Sequence, residues 1–338
     1  MAITITELSK ITGVSRSTIS RVLNRPHLVK QETRDRVLKA LKDNNYVYNA
    51  LAGGLTKRKT ATIAVILPTI TNPVFALSTK GIQDKAQKRG YSILLGSTNY
   101  SGKSEFKLLT LFHEKRIDGI VFTGTPLSKE SIEMTSRFEI PYVITWEKSD
   151  EQGVSYVAFD NKKCGFNVTE YLISLGHRHI GMIAGKFSET SRASKRWLGY
   201  KEALSMNSIN YDESIVIQKG YSVTNGKEAA GRLLRAPERP TAIVCANDIL
   251  AIGAMAAAKE MGLKVGVDVS ITGFDDLEVS EALNPSLTTF KIPAYRMGKI
   301  AAQVLIETIE GEINEPQQYL LEPSLVIRDS TGQAKEVE

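Results

Sequence analysis

The chain has 338 residues, with 43 Lys and Arg against 37 Asp and Glu and an apolar share of 42%. It is too long for one typical domain and apolar enough for more than one core, which excludes a disordered chain and predicts two or three compact units. Cys164 and Cys245 stand 81 positions apart in apolar stretches, which is neither a disulfide framework nor a metal spacing, and a reduced compartment fits.

The start, MAITITELSKITGVSRSTIS, has no basic region leading into an unbroken apolar run, and no apolar window long enough to span a bilayer follows. A cytoplasmic protein is expected. Residues 1–60 hold 12 Lys and Arg against 4 Asp and Glu, a balance of +8, whereas the remaining 278 hold 31 against 33. A small basic module on a near-neutral body suits a chain that meets a polyanion at one end only.

In that module apolar residues recur at helical spacing in three runs: Ile5, Leu8 and Ile11; Ile19, Val22 and Leu23; Val37, Leu38 and Leu41. They predict three short helices. Gly13 makes a tight turn between the first two, Ser15 stands where an N-cap oxygen accepts from free amides, and Asn24, Arg25 and Pro26 stop the second. The second helix displays Arg16, Ser17, Ser20 and Arg21 on one face, with Ile19, Val22 and Leu23 behind. Arg pairs with a guanine edge while small hydroxyls hold phosphates, so this face fits a major groove. A solvated bundle face is the bland alternative, and the +8 balance weighs against it.

At Asn49 to Lys57 the family resemblance given below implies a short hinge helix, and its stability can be argued from the residues. Nine residues are too few for an isolated helix, and Gly53 and Gly54 each remove about 1 kcal/mol relative to Ala. Paired with its mate in a minor groove, such a segment orders and drives Leu55 between base pairs; a linker without DNA contact is the alternative.

From Thr62 the text changes to short apolar runs alternating with amphipathic stretches. Candidate strands are Thr62 to Leu67, Ser92 to Leu95, Gly119 to Phe122, Tyr142 to Thr145, Ile180 to Ala184, Ala242 to Cys245 and Ser270 to Phe274. Helix-length segments such as Val74 to Arg89, Ser104 to Lys115, Lys162 to Leu175 and Asp248 to Met261 lie between them. Strands apolar on both faces suit a parallel sheet covered by helices on each side, and a body this long suits two lobes with a cleft at the strands' carboxyl ends. The fold class expected is therefore α/β, with an all-α helix-turn-helix headpiece ahead of a two-lobed, doubly wound body. STGQAKEVE at the end has no periodicity and is expected to be loose.

Three motifs of enzymes and metalloproteins fail. Gly102, Lys103 and Ser104 follow a strand, but a phosphate-binding loop needs a glycine at Ser97, and Gly96 is one position too early. His177 and His179 have no third ligand nearby and read as a turn before a strand. No G-x-S-x-G, H-E-x-x-H or G-x-G-x-x-G occurs, so no enzyme, metal or cofactor is expected.

Phe75, Arg196, Asn247 and Asp275 fall near predicted strand ends and supply a flat apolar wall, a charged fork, an amide and a carboxylate. Sugars need such a set, because hydroxyls both donate and accept while ring faces stack on aromatics. Arg192, one turn before Arg196, suits a carboxylate, whereas Asp275 would repel one. The balance leans slightly toward a sugar acid over a neutral sugar.

The segments GVSRSTISRVLN (13–24), ETRDRV (32–37) and NYVYNALAGGL (45–55) resemble the headpiece of the lactose and galactose repressor family. The similarity continues at NPVF (72–75), RIDGIVF (116–122), GHRHIGMIAG (176–185), PTAIVCANDILAIGA (240–254), DVSITGFDD (268–276) and LTTFKIP (287–293), nearly the whole chain. The resemblance implies a headpiece (1–48), a hinge and linker (49–60) and a body like periplasmic sugar-binding proteins (61–330), followed by a tail (331–338). Within the body it implies one lobe of about 61–160 with 292–322 and another of about 161–291 with 323–330. It implies a homodimeric repressor on a near-palindromic operator.

Carried over by motif position, Arg16, Ser17 and Arg21 read bases; Thr4, Ser15, Thr18, Asn24 and Thr33 touch phosphates; Ala52 and Leu55 contact DNA from the hinge. Arg196, Asn247 and Asp275 bind the small molecule, with Phe75, Trp146, Phe159, Arg192 and Tyr221 at further pocket positions. Two departures stand out: Lys30 replaces a small hydroxyl at the start of the third helix, and Tyr48 stands where proline is common. Two rivals are a family regulator controlled by a partner phosphoprotein, and an enzyme or transport binding protein on the same body. The missing nucleophile and signal peptide argue against the second rival.

Overall fold

The computed structural model of the chain describes residues 3–24, 26–44, 46, 59–125 and 128–335. It divides into two compact units, Met1–Thr60 and Ala61–Glu338. The expected hinge helix, with Ala52 and Leu55, lies outside the described residues.

The first unit is three helices, α1 (Ile5–Thr12), α2 (Arg16–Asn24) and α3 (Gln31–Asp43), with a 3-10 turn at Pro26–Leu28. Thr4 caps α1 in a reciprocal box with Glu7, and Gly13 ends it in the left-handed conformation at φ 66°. Ser15 Oγ accepts from Thr18 N–H at 3.2 Å, the N-cap bond that the sequence predicts. Lys30 caps α3 without any side-chain bond, which is the physical consequence of the missing hydroxyl. The core is Leu8, Val14, Ile19, Val22, Val37 and Ala40. Two apolar positions differ from expectation. Ile11 and Leu38 are 57% and 47% exposed, because helices this short bury one narrow stripe, filled here by Val14 and Ala40.

The second unit runs through β1 (Thr62–Leu67), α4 (Pro73–Lys88), β2 (Ser92–Ser97), α5 (Gly102–Glu114), β3 (Gly119–Thr123), α6 (Lys129–Arg137), β4 (Tyr142–Thr145) and β5 (Ser155–Ala158). It continues with α7 (Asn161–Ser174), β6 (Ile180–Ala184), α8 (Ser191–Met206), β7 (Val216–Gln218), α9 (Val223–Leu234), β8 (Ala242–Cys245), α10 (Asp248–Glu260), β9 (Ser270–Asp275), α11 (Glu278–Ala282) and β10 (Thr288–Lys291). The last elements are α12 (Ala294–Glu310), β11 (Gln318–Leu320) and β12 (Ser324–Val326).

Two six-stranded sheets result, in the orders β11-β5-β4-β3-β1-β2 and β12-β10-β9-β8-β6-β7. Every pairing is parallel except β10 with β12. The chain passes between sheets after β5, after β10 and after β11, so each lobe is assembled from separate stretches of sequence.

Alternation along β1 shows why such strands read as unbroken apolar runs. Ile63, Val65 and Leu67 pack with Ile82 of α4 and Leu305 of α12, while Ala64 and Ile66 pack with Leu109 and Phe112 of α5. Both faces are covered, as a parallel sheet requires.

The C-terminal segment differs from expectation. His177 Nε2 lies 3.1 Å from the Gly332 carbonyl, Tyr171 OH 2.8 Å from Thr331 Oγ1, and Ala334 N–H donates to Leu175 O at 2.8 Å. Residues 331–335 are thus fastened to α7 and the turn after it by bonds that periodicity does not reveal. His177 is buried with Thr241 and Ser270 at its two ring nitrogens. Both cysteines are buried and free.

Candidate functional site

Two groups of residues stand out, one in each unit. In the first, Arg16, Ser17 and Arg21 are exposed on α2, Ser20 is half-buried, and Ile19 and Val22 anchor the opposite face. Ser15 Oγ lies 2.9 Å from both Ser17 Oγ and Thr18 Oγ1, so three hydroxyls hold one another at the start of the helix. Thr4 and Ser15 stand at the N-caps of α1 and α2, and Thr33 in the first turn of α3. Each of these helix starts carries the positive end of its helix dipole, which favours anions such as phosphate. Asn24 closes α2; its side chain lies outside the described residues.

The second group lines a cavity between the two sheets, at the carboxyl ends of their strands: Asn72, Phe75, Tyr100, Trp146, Arg192, Arg196, Tyr221, Ala246, Asn247 and Asp275. Seven of the eight sequence-predicted residues are in it. Phe75 lies in the first turn of α4, behind an Asn72 cap and Pro73 at the helix start. Trp146 follows β4 at φ 74° and meets Phe75 edge-on, with centroids 5.1 Å apart. Asp275 ends β9 at φ 121°. Backbone held in such conformations at a cleft is strain that its surroundings impose.

Arg192 and Arg196 lie one turn apart on α8, and both are buried. Arg196 donates from Nε to Arg192 O at 3.4 Å and from Nη1 to Ala246 O at 2.5 Å, with its guanidinium 4.0 Å above the Phe274 ring. Asn247 caps α10, accepting from Leu250 N–H at 3.0 Å. Tyr221 packs on Gly185, where any Cβ would meet its hydroxyl, and its ring lies 5.8 Å from that of Tyr100.

Phe159 does not line the cavity. It lies behind it, 5.9 Å from Trp146 and 6.0 Å from Phe274, and acts as an aromatic support rather than a wall. Asn72, Tyr100 and Glu147 were missed. The first had a signal, since Asn before Pro marks a helix start, whereas the other two are set only by where β2 and β4 end.

Direct bonds cross the cleft. Asn72 Nδ2 donates to Asp275 Oδ2 at 3.0 Å, Ser191 Oγ to Glu147 Oε1 at 2.5 Å and Arg192 Nη1 to Thr123 O at 3.1 Å, while Lys195 Nζ pairs with Glu147 at 3.2 Å. An adjoining pocket shares Tyr100 and Arg192 and adds Thr125, Glu147 and Ser191.

The two buried carboxylates facing the cleft behave oppositely. Burial and the nearby charge of Asp248 push Asp275 up to about 7, against Asn72 and the two Arg. Burial also opposes charge on Glu147, but Arg192, Ser191 and Lys195 outweigh it and hold that carboxyl below its usual range. Asp248 has a structural place, accepting from Leu277 N–H at 2.8 Å, Ser280 Oγ at 2.6 Å and Thr289 Oγ1 at 2.5 Å. Asp276 accepts from Arg328 at 2.8 Å.

Among the described residues no helix is long and apolar enough to cross a membrane, and no group of three or more His, Cys, Asp and Glu could hold a metal.

Comparison with known proteins agrees with this geometry. Residues 4–49 match the family described as bacterial regulatory proteins, lacI family, and residues 169–331 match a periplasmic binding protein-like domain. The HTH-type transcriptional regulator DegA of Bacillus subtilis is 34% identical over 335 residues, covering 98% of this chain and 99% of DegA. The crystal structure of the lac repressor dimer bound to operator and the anti-inducer ONPF superposes with a TM-score of 0.87 at 26% identity, over 98% of this chain and 100% of that one. The complex of the transcriptional regulator CelR with cellobiose gives 0.73 at 30% identity, over 97% and 99%. With a helix-turn-helix headpiece, a two-lobed parallel-sheet body and relatives of this identity along its whole length, the chain belongs to the LacI family of bacterial transcriptional regulators.

Proposed function

We propose that the chain is a sequence-specific DNA-binding repressor, a homodimer on a near-palindromic operator, whose operator affinity is set by a small polar effector held in the cleft. The effector is of the sugar or sugar-acid class, such as gluconate. The observation that carries the DNA half is the exposed Arg16, Ser17 and Arg21 on a helix anchored by Ile19 and Val22, within a segment of +8 charge. Arg16, Ser17 and Arg21 read base edges; Thr4, Ser15, Thr18, Asn24 and Thr33 take phosphates; Ala52 and Leu55 contact the minor groove. For the effector half, the support is a cleft mixing aromatic walls with two Arg, an amide and a carboxylate, in a family where the lac repressor holds ONPF and CelR holds cellobiose.

Arg21→Ala removes one base-reading fork without touching the core. Operator affinity is expected to fall by about 1 to 3 kcal/mol, with nonspecific binding and effector affinity kept. Gel-shift titrations against operator and scrambled duplexes measure this; unchanged operator preference would show that α2 does not read sequence. Because phosphates dominate affinity, the logarithm of the wild-type binding constant should fall steeply and linearly with that of salt.

A further inference from the structure

Apart from the carboxylates of Glu147 and Asp275, the cleft offers chiefly hydrogen-bond donors. Trp146 is 2% exposed, and its indole N–H, a donor only, has no acceptor among the described residues. Asn247 gives its amide oxygen to Leu250 N–H, which leaves its NH2 to offer. Among the described residues Arg196 and Arg192 bond only to backbone carbonyls, at Arg192, Ala246 and Thr123. Arg192 lies in the field of Glu147 but forms no ion pair among the described residues. Several guanidinium N–H groups therefore remain. Against these donors, Asn72 Oδ1 is taken by Val74 N–H, and one oxygen of Asp275 is taken by Asn72. The hydroxyls of Tyr100 and Tyr221 serve either way. A buried donor without an acceptor is unfavourable, and the partner that relieves several at once is rich in acceptors and negatively charged.

We infer that the cleft is built for a small hydroxylated carboxylate, its anionic end held by the indole N–H of Trp146, the Asn247 amide and the guanidinium groups of Arg192 and Arg196. This rests on the reading of the cleft as the effector site and decides between a neutral sugar and an acid. Bidentate pairing makes Arg the group of choice for a carboxylate in a site shut off from water.

Of the two carboxylates facing the cleft, Glu147 is already paired with Lys195 and bonded by Ser191, so Asp275 is the remaining obstacle, and its surroundings remove it. The groups facing it are Asp248 from α10, Arg192 and Arg196 from α8, Asn72 ahead of α4, Tyr100 after β2 and Tyr221 ahead of α9. Burial raises Asp248 as well, yet three donors converge on its two oxygens and favour its charged form. Among the described residues Asp275 has one donor and no ion pair, so it is the partner that carries the proton, its carboxyl raised to about 7. Neutral, it adds a donor to the site; ionised, it repels the same ligand.

The test uses the purified full-length protein and two matched pairs, D-gluconate with D-glucitol and D-galactonate with galactitol, each pair differing at one carbon. Melting temperature and calorimetric affinity are measured at about pH 6 and about pH 8, on either side of the Asp275 transition. At least one acid should bind roughly tenfold or more tightly than its alcohol and weaken at the higher pH. Trp146→Phe, which keeps an aromatic wall, and Asn247→Asp, which keeps the α10 cap, should each erase most of that preference. Equal binding of acid and alcohol, both lost in Arg196→Ala, would overturn the anion assignment and leave the cleft as the effector site. Acid binding that survives Arg196→Ala would overturn the cleft reading itself. If neither acid binds, the carboxylate assignment is overturned.

Discussion

Glu147 and Asp275 are both nearly inaccessible to water, yet the cleft stabilises opposite protonation states in them, and the difference lies in their neighbours. Glu147 receives Ser191, Lys195 and the field of Arg192, so its carboxyl is lowered from 4.5. The stability it contributes is present above that value and is lost as pH falls through the lowered one. Asp275 is raised from 3.8 to about 7. Its contribution is complete below 3.8 and is lost as pH rises through about 7. Asp275→Asn keeps an oxygen to accept from Asn72 and cannot ionise. It should raise the melting temperature at about pH 8 by about 2 to 4 °C for each kcal/mol recovered, with little change at about pH 5. A Glu147→Gln variant should be destabilised at neutral pH and lose less than the parent on acidification. Melting curves across this range check both, and parallel profiles for Asp275→Asn and parent would refute the neutral carboxyl.

Helix crossings show how the fold places these side chains. Where α7 meets α8, Gly165 faces the Arg196 carbonyl and Gly199 faces the Lys162 carbonyl, with a built Cβ at 2.1 and 2.0 Å from those oxygens. Gly81 with Gly298, and Gly226 with Gly253, do the same for α4 with α12 and for α9 with α10. Because the Gly165 contact is to backbone, no side chain can swing aside. Gly165→Ala should destabilise by about 1 to 3 kcal/mol and weaken effector binding by shifting Arg192 and Arg196, which chemical denaturation and calorimetry would resolve. A change of less than a few tenths of a kcal/mol would mean that α8 is not held by this crossing.

The strands legible in the sequence were those apolar on both faces, such as β1, β6 and β8. β5, β7, β10, β11 and β12 were not. β10 is TTFK, with Thr288 and Thr289 fully buried and satisfied by Ser330, Arg328, Thr331 and Asp248, partners that only the fold brings near. β7, β11 and β12 are three residues each, too short to show a period. At the cleft, residue types at strand ends were readable, but whether an aromatic faced the ligand or stood behind it was not, as Phe159 shows.

At the scale of the whole body, three short crossings join two lobes that each hold their own sheet, the arrangement in which lobes rotate as rigid pieces about linkers. Bonds such as Asn72 to Asp275 and Ser191 to Glu147 form only when the lobes are together, so a ligand touching both lobes adds to the closed side of that balance. If closure governs operator affinity, the coupling is reciprocal: whatever factor the effector imposes on operator affinity, the operator must impose on effector affinity. Couplings of this kind are commonly about 5- to 150-fold. Calorimetric titration of the effector, alone and with saturating operator duplex, should therefore give two dissociation constants whose ratio matches the ratio of operator affinities with and without effector. Identical constants would mean that the cleft and the headpiece are energetically independent, and a cleft this well furnished would then serve some purpose other than control of DNA binding.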